Sequence, residues 1–272
     1  MQSEIHISEA TTLLKSLETG SVKLLISDPP YGIGYHSNHY KDKNPHAPIA
    51  HDWNFQVGPF LDEVGRVLSD GGAMYLFCRY DVLPLWMPSI PPAEMKEKTI
   101  IAWVKDNWSA GDLEGSFGNQ YESIIFATKG RHLLRGKRWP NVWEFPRVPA
   151  KSLLHPAQKP TALLKRAIES SSDPGDIVVD PFCGSGSTGE AANQTGRGFL
   201  MCDIDNKMVR MAKIRLKMSV EQEDEIRPPA ALEFAPESAE SWGLHPEDMK
   251  TLYDEITGNI EHNGKQLTFL NT

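Results

Sequence analysis

Cysteine is scarce in this sequence, and membrane-length apolar runs and export features are missing from it. Three cysteines in 272 residues, with no CxxC pair, argue against a disulfide framework and favour a reducing, intracellular setting. No uninterrupted apolar stretch approaches the roughly 18 residues of a membrane span. The opening residues MQSEIHISEA lack the basic and apolar regions of a signal peptide. These features predict a cytoplasmic protein with no membrane partner.

Positive charge is in deficit overall, but it is concentrated in one place. The chain has 28 Lys and Arg against 36 Asp and Glu, a net charge of −8, which argues against a protein that coats nucleic acid. Residues 129–166, the basic band, hold ten bases and one acid, a net of +9. Trp139, Trp143 and Phe145 lie within the basic band. The band is either an ordinary solvated surface or a local site for an anionic partner that carries bases.

The remaining composition is that of a folded protein with an acidic extension. Apolar residues are 40% of the chain, and short β-rich runs alternate with helical patterns, which predicts an α/β domain with a mostly parallel sheet. Predicted strands are 22–27, 73–78, 99–104, 122–127, 176–180 and 198–203. Predicted helices are 9–18, 58–68, 160–171, 188–195 and 206–219. Residues 221–272 carry twelve acids and three bases, so we expect a folded domain over 1–220 and an acidic extension, with one helix near 246–256.

A glycine-rich turn follows one predicted strand and precedes a helix. The segment is Asp180-Pro-Phe-Cys-Gly184-Ser-Gly186-Ser-Thr188, and a second strand ends about twenty residues later in Asp203. This order places backbone amides near a nucleotide-like ligand and a carboxylate near its ribose. The spacing is not GxGxxG, and no P-loop lysine follows. A nucleoside cofactor without a pyrophosphate fits best, and S-adenosylmethionine is the natural candidate.

A second polar motif follows the strand at 22–27. Asp28, Pro29, Pro30 and Tyr31 form the tetrad DPPY at a strand end, where α/β sheets place their chemistry. Two prolines fix the backbone, so the Asp28 carboxylate and the Pro29 carbonyl can serve as fixed acceptors, and Tyr31 adds a flat ring. The tetrad is suited to a planar group that bears an amine.

The sequence resembles the DNA amino-methyltransferases, which modify the exocyclic nitrogen of adenine or cytosine. The resemblance rests on the tetrad, on the glycine-rich turn and on the intervening His155-Pro-Ala-Gln-Lys159-Pro160. It implies a Rossmann-like methyltransferase fold with a mostly parallel seven-stranded sheet, helices on both faces and a circularly permuted motif order. In that permutation the strand near 4–7 lies beside the strand that ends at Asp203.

The resemblance also implies the role of each site residue. Asp28 and the Pro29 carbonyl hold the target amine, and Tyr31 stacks on the flipped base. S-adenosylmethionine binds to Asp180, Phe182, Gly184, Gly186, Ser187, Thr188, Asp203 and Lys159. Double-stranded DNA contacts the basic band, with Arg135, Lys137, Arg138 and Arg147 as candidates. The recognition segment, about 130–154, is short, which predicts a short or relaxed recognition sequence, or recognition shared across a homodimer.

Several alternatives stay open at this point. Relatives that act on cytosine more often carry Ser at the first tetrad position, so Asp28 favours adenine N6 over cytosine N4. Methylation of RNA or of a protein amide, where Asn is more usual there, and an inactive DNA-binding module are further alternatives. The loop 32–52 holds four histidines without metal-ligand spacing, so we expect no metal and interpret this loop as a flap, with Trp53 and Phe55 anchoring its return.

Overall fold

One mixed sheet organises the protein, whose computed structural model describes residues 3–31, 55–108, 114–149, 153 and 158–220. The sheet order is β1-β8-β7-β2-β3-β5-β4-β6, and β5 is the strand that runs antiparallel to its neighbours. The strands are β1 (Ser3–Ile7), β2 (Val22–Ser27), β3 (Leu68–Cys78), β4 (Lys96–Val104), β5 (Tyr121–Thr128), β6 (Val142–Glu144), β7 (Ile177–Asp180) and β8 (Gly198–Asp203).

Helices cover both faces of this sheet. They are α1 (Ala10–Lys15), α2 (Val57–Val67), α3 (Leu83–Trp86), α4 (Thr161–Ser171), α5 (Ser187–Gln194) and α6 (Asn206–Arg215), with 3-10 turns at Tyr80–Val82 and Met87–Ser89. Apolar residues recur along α2 at Val57, Phe60, Leu61 and Val64, and this stripe packs with α1 and α3 on one face. The buried residues of α4, α5 and α6 belong to the core of the other face.

The order in which strands are added to the sheet reverses between β2 and β7. These two strands are parallel neighbours, with Leu24 beside Val178, yet β2 leads to β3 on one side and β7 leads to β8 on the other. Such a switch point opens a crevice at the carboxyl ends of the strands, which is where α/β sheets bind ligands. The tetrad follows β2, and the glycine-rich turn follows β7, so the fold brings both motifs to the same crevice.

The fold class and the motif permutation are confirmed. β1 pairs with β8, as predicted, and their register places Ile7 opposite Asp203. The described part of the sheet has eight strands rather than seven, because Val142–Glu144, inside the expected recognition segment, adds to β4 as a parallel edge strand. The helix expected at 246–256 and the loop 32–52 with Trp53 lie outside the described residues. Phe55 packs against Phe60, Trp86 and Phe182, with ring centroids 5.4–5.6 Å apart.

No helix within the described ranges is both long and apolar enough to cross a bilayer.

Candidate active site

The glycine-rich turn is shaped by two residues with left-handed backbone. Gly184 has a φ of 47° and Gly186 a φ of 81°, a region that side chains other than glycine rarely adopt. A Cβ added at Gly186 would lie 2.9 Å from the Cβ of Ala212 on α6, so this glycine lets the turn approach α6. A Cβ added at Gly184 would meet nothing within 4 Å, so this part of the turn faces open space.

Two carboxylates hold the turn in place. The Phe182 amide donates to Asp180 Oδ1 at 3.1 Å, and the Gly184 amide donates to Asp203 Oδ2 at 3.0 Å. The Asp205 amide donates to Asp203 Oδ1 at 2.9 Å. Each carboxylate oxygen retains further acceptor capacity, because an ionised carboxyl group offers about four lone-pair sites.

Burial makes both carboxylates reluctant to ionise. It raises the pKa of Asp180 to about 7, although the Thr188 hydroxyl and the Phe182 amide oppose the shift by hydrogen bonding to the carboxyl group. Burial likewise raises the pKa of Asp203, against hydrogen bonds from the Asp205 and Gly184 amides. Within the described residues neither carboxylate forms an ion pair, so this side of the crevice is electrostatically suited to a cation.

Two neighbouring residues of α5 differ in what they face. Thr188 hydrogen-bonds to Asp180 and so lines the turn. The Ser187 hydroxyl instead accepts a hydrogen bond from Arg215 Nη1 at 3.0 Å, and Arg215 also pairs with Glu190. Ser187 therefore joins α5 to α6, and its side chain is engaged in that packing.

A lysine lies beside the tetrad, between two carboxylates. Lys159 Nζ is 2.8 Å from Asp28 Oδ2 and 2.6 Å from Glu122 Oε1, while the Tyr31 hydroxyl donates to Asp28 Oδ1 at 3.1 Å. Lys105 Nζ lies 2.9 Å from Glu122 Oε2. Lys159, expected near the methionine end of the cofactor, is thus placed between two carboxylates of the tetrad region.

Sequence reasoning missed Glu122. It stands second in β5, and because β5 runs antiparallel to β3, its amino-terminal end reaches the edge where Cys78 ends β3. Its side chain is 12% exposed, and the one charged residue in a mostly apolar strand was the available signal. Burial raises the pKa of Glu122, but Lys159 and Lys105 outweigh it, so the net shift is downward.

The four candidate DNA contacts lie in different places. Arg147 is exposed just beyond β6, and its amide donates to Asp106 Oδ1 at 2.9 Å, which holds it at the tetrad edge. Arg135 pairs with Asp173 at 3.0 Å and donates its amide to the Ser170 carbonyl, near the end of α4 that lies away from the tetrad.

The two remaining candidates, Lys137 and Arg138, are both exposed. Part of the basic band forms an open groove along α4. The groove has a volume of about 410 Å³, and its lining includes Lys137, Trp139, Phe145, Lys165 and Arg166, with Arg135 at the end near Ser170. The Arg166 guanidinium carbon lies 4.4 Å from the Trp139 ring centroid and 4.3 Å from that of Phe145. Lys137 Nζ lies 4.4 Å from the Trp139 centroid, so the rings hold both cations in place.

In the part of the chain that the structure describes, no cluster of His, Cys, Asp and Glu side chains could hold a metal ion.

Comparisons with known proteins show the family to which the chain belongs. Residues 22–214 match a family model described as DNA methylase, for N6 and N4 methyltransferases. The DNA adenine methyltransferase YhdJ of Escherichia coli K12 is 32% identical over 249 residues, covering 79% of this chain and 82% of that protein.

Two solved structures share the fold. The complex of M1.HpyAVI with SAM superposes with a TM-score of 0.60 at 23% identity, covering 79% of this chain and 100% of that one. The PvuII DNA methyltransferase, which is cytosine-N4-specific, gives 0.64 at 14% identity, covering 96% and 94%. The resemblance found in the sequence is confirmed: the chain belongs to the DNA methylase family of N6 and N4 amino-methyltransferases.

Proposed function

We propose that the protein transfers a methyl group from S-adenosylmethionine to the N6 amine of adenine in double-stranded DNA. The observation that carries this proposal is the crevice at the β2–β7 switch point, where an amine-binding tetrad meets a glycine turn with two carboxylates. The adenine assignment is supported by Asp28 at the first tetrad position and by the adenine-specific relative at 32% identity. The similar fold of a cytosine-N4 enzyme keeps that alternative as an outcome of the test.

The turn after β7 fits S-adenosylmethionine. The cofactor supplies a methyl group on a positively charged sulfur, together with a ribose and an amino-acid end. Open space at Gly184 admits a ligand, and the buried Asp180 and half-buried Asp203 have no cation of their own among the described residues. In our proposal Asp203 accepts from the ribose hydroxyls, and Asp180, Phe182, Gly184, Gly186 and Thr188 form the wall. Ser187 acts indirectly, by holding α5 to α6.

The tetrad prepares the amine for attack. An aromatic amine is a poor nucleophile because its lone pair is delocalised into the ring. The Asp28 carboxylate and the Pro29 carbonyl accept its N–H groups and so stabilise the positive charge that develops on nitrogen. Pro30 keeps the loop rigid, and Tyr31 stacks on the base. The cofactor would supply the methyl group as its S–C bond breaks, leaving S-adenosylhomocysteine, and the methylated nitrogen would release a proton to solvent. Holding the amine in place beside the cofactor site adds to the rate enhancement.

DNA reaches this crevice only if the target base leaves the duplex, because a stacked base cannot enter a pocket at a strand end. The groove along α4 and the exposed Arg147 supply cations for the phosphates. Arg135 also lines this groove, but its charge is already paired with Asp173, so we assign it a lesser part. Because the recognition segment is short, a short or relaxed recognition sequence, or recognition shared between two copies, stays a prediction. A recognition sequence longer than about six base pairs that is read by a monomer would contradict this prediction.

Product identification tests the function. The full chain is incubated with unmethylated duplex DNA and S-adenosylmethionine labelled in its methyl group, and the DNA is digested to nucleosides. We expect labelled N6-methyladenine. Labelled N4-methylcytosine selects the cytosine enzyme instead. Absence of any labelled nucleoside would overturn the assignment to DNA. RNA and protein amides would then be tested as acceptors.

A further inference from the structure

Four charged side chains alternate in sign beside the tetrad. Lys105 contacts Glu122, Glu122 contacts Lys159, and Lys159 contacts Asp28, over distances of 2.6–2.9 Å. Each comes from a different part of the fold: the end of β4, β5, the segment before α4 and the loop after β2. Their side chains are between 12% and 23% exposed, so water screens these pairs weakly. The row is neutral as a whole.

Aromatic rings confine the central ammonium. Lys159 Nζ lies 4.9 Å from the Phe77 ring centroid and 5.9 Å from that of Trp103. Lys105 Nζ lies 4.7 Å from the Trp103 centroid. Phe77 and Trp103 are both buried in the core, so the two ammonium groups stand on a rigid floor. Such packing favours one fixed position of Lys159.

The two oxygens of Asp28 have different partners. Oδ2 contacts the Lys159 ammonium at 2.8 Å, while Oδ1 accepts from the neutral Tyr31 hydroxyl at 3.1 Å. A buried ion pair is much costlier to break than a hydrogen bond from a neutral hydroxyl. An incoming neutral amine therefore displaces the hydroxyl more readily than the ammonium. Oδ1 is therefore the oxygen of Asp28 that a substrate amine can reach by displacing the Tyr31 hydroxyl.

Building on the proposed function, we propose that Lys159 is a positioning residue of the tetrad. It holds Oδ2 of Asp28, so that Asp28 stays a carboxylate with Oδ1 turned to the target amine. Glu122, itself held by Lys105, fixes the Lys159 ammonium. This role differs from a contact with the methionine end of the cofactor, the neighbourhood in which sequence reasoning placed Lys159.

The charges around Asp28 determine in which direction its pKa should change when each neighbour is replaced. The groups that face it are Tyr31 on its own loop, Cys78 at the end of β3, Glu122 on β5, Lys159 before α4 and Asp180 at the end of β7. Burial raises the pKa of Asp28, Lys159 opposes this shift, and Glu122 adds to it. Removing the lysine charge should therefore raise the Asp28 pKa further, whereas removing the Glu122 charge should lower it.

The experiment measures the Asp28 charge directly. The full chain is labelled with ¹³C at aspartate carboxyl groups, Asp28→Asn identifies the resonance, and its titration is followed by NMR without DNA or cofactor. We expect the Asp28 midpoint to rise by about one unit or more in Lys159→Met and to fall in Glu122→Gln. Lys159→Arg keeps the charge and should restore the midpoint toward the original. Lys96→Met, which removes an exposed lysine of β4, should leave it unchanged.

Kinetics and cofactor binding separate positioning from cofactor contact. In Lys159→Met the acid limb of the pH profile of kcat should move to higher pH, and in Glu122→Gln to lower pH, while the Kd for S-adenosylmethionine stays within about threefold. If Lys159→Met does not fold, Glu122→Gln decides, because it keeps the side-chain size and an oxygen that accepts from Lys159.

Two results would overturn the positioning role in an enzyme that methylates DNA. One is an Asp28 midpoint that is unmoved, or moves in the same direction, in both variants. The other is a cofactor Kd weakened tenfold or more in Lys159→Met while the Asp28 midpoint stays in place. An original protein that makes no methylated nucleoside overturns the proposed function instead, and the NMR titration is read independently of that result.

Discussion

The carboxylates of the two loops of the crevice differ in whether a cationic side chain pairs with them. Beside the tetrad, Asp28 has a lysine partner at 2.8 Å, and the surrounding charges cancel. Across the crevice, Asp180 is 4% exposed and, among the described residues, has no cationic partner. The difference indicates what each loop receives. A neutral amine needs an acceptor whose charge is already secured, whereas a cationic cofactor brings the compensating charge with it.

The largest expected effect tests the tetrad side. Asp28→Ala removes the acceptor that stabilises charge on the target nitrogen, so we expect kcat to fall by about 10²–10³-fold. Single-turnover methylation of duplex DNA at saturating cofactor measures it. Asp62→Ala, which removes an exposed carboxylate from α2, is the matched control. Turnover of Asp28→Ala within a few-fold of the original would show that this side does not act as described.

Asp180→Asn tests the other side through stability. The carboxyl has a pKa of about 7 in the folded protein against 3.8 as a free group, so folding favours the protonated form. Its ionisation therefore costs stability progressively as the pH rises from about 4 to 7, and no cost remains below pH 4. The variant should gain up to about 4 kcal/mol in free energy of unfolding at pH 8 and lose affinity for S-adenosylmethionine.

Urea unfolding of Asp180→Asn and of the original at pH 4 and at pH 8 checks the sign. The two proteins should differ at pH 8 and converge at pH 4. A stability difference that is the same at both values would mean that the carboxyl of Asp180 is not destabilised by burial in the folded protein.

Cofactor affinity should itself depend on pH. If a cationic ligand approaches Asp180, binding favours the ionised carboxyl, so affinity should rise by up to about tenfold per unit as the pH increases toward 7 and then level off. Isothermal titration calorimetry between pH 5.5 and 7.5, in buffers of different ionisation enthalpy, would also detect the released proton. A flat affinity across this range would contradict the contrast between the two loops.

The smallest expected effect concerns the two ends of the basic band. Arg147→Met at the tetrad edge should reduce the slope of log affinity for DNA against log salt concentration by about one, with a several-fold loss of affinity. Arg135→Met, at the other end of the band, is the variant for comparison. Because the Arg135 side chain is already paired with Asp173, its removal should change the slope little. Equal slopes for both variants would place the DNA along the whole band.

Local patterns predicted much of the fold, and long-range pairing explains what they missed. The strands β2 and β8 have the predicted bounds, since short apolar runs that end in a polar residue are a local signal. β3 begins at Leu68 rather than 73, because Leu68 pairs with Val22 of β2, across a register shift that spans residues 69–72. The strand β6 has three residues, too few for a periodic signal, and forms only because β4 offers an edge.

The candidate site divides in the same way. The sequence by itself determined the two motifs, their order and the strand ends that carry them, because strand, turn and helix signals act over a few residues. Only the tertiary structure decided that Lys159 meets Glu122, 37 positions away in the chain, and that the basic band is spread over two edges of the sheet. Those outcomes depend on strand order and direction, above all on the antiparallel β5, which carries Glu122 to the tetrad and residues 129–135 away from it.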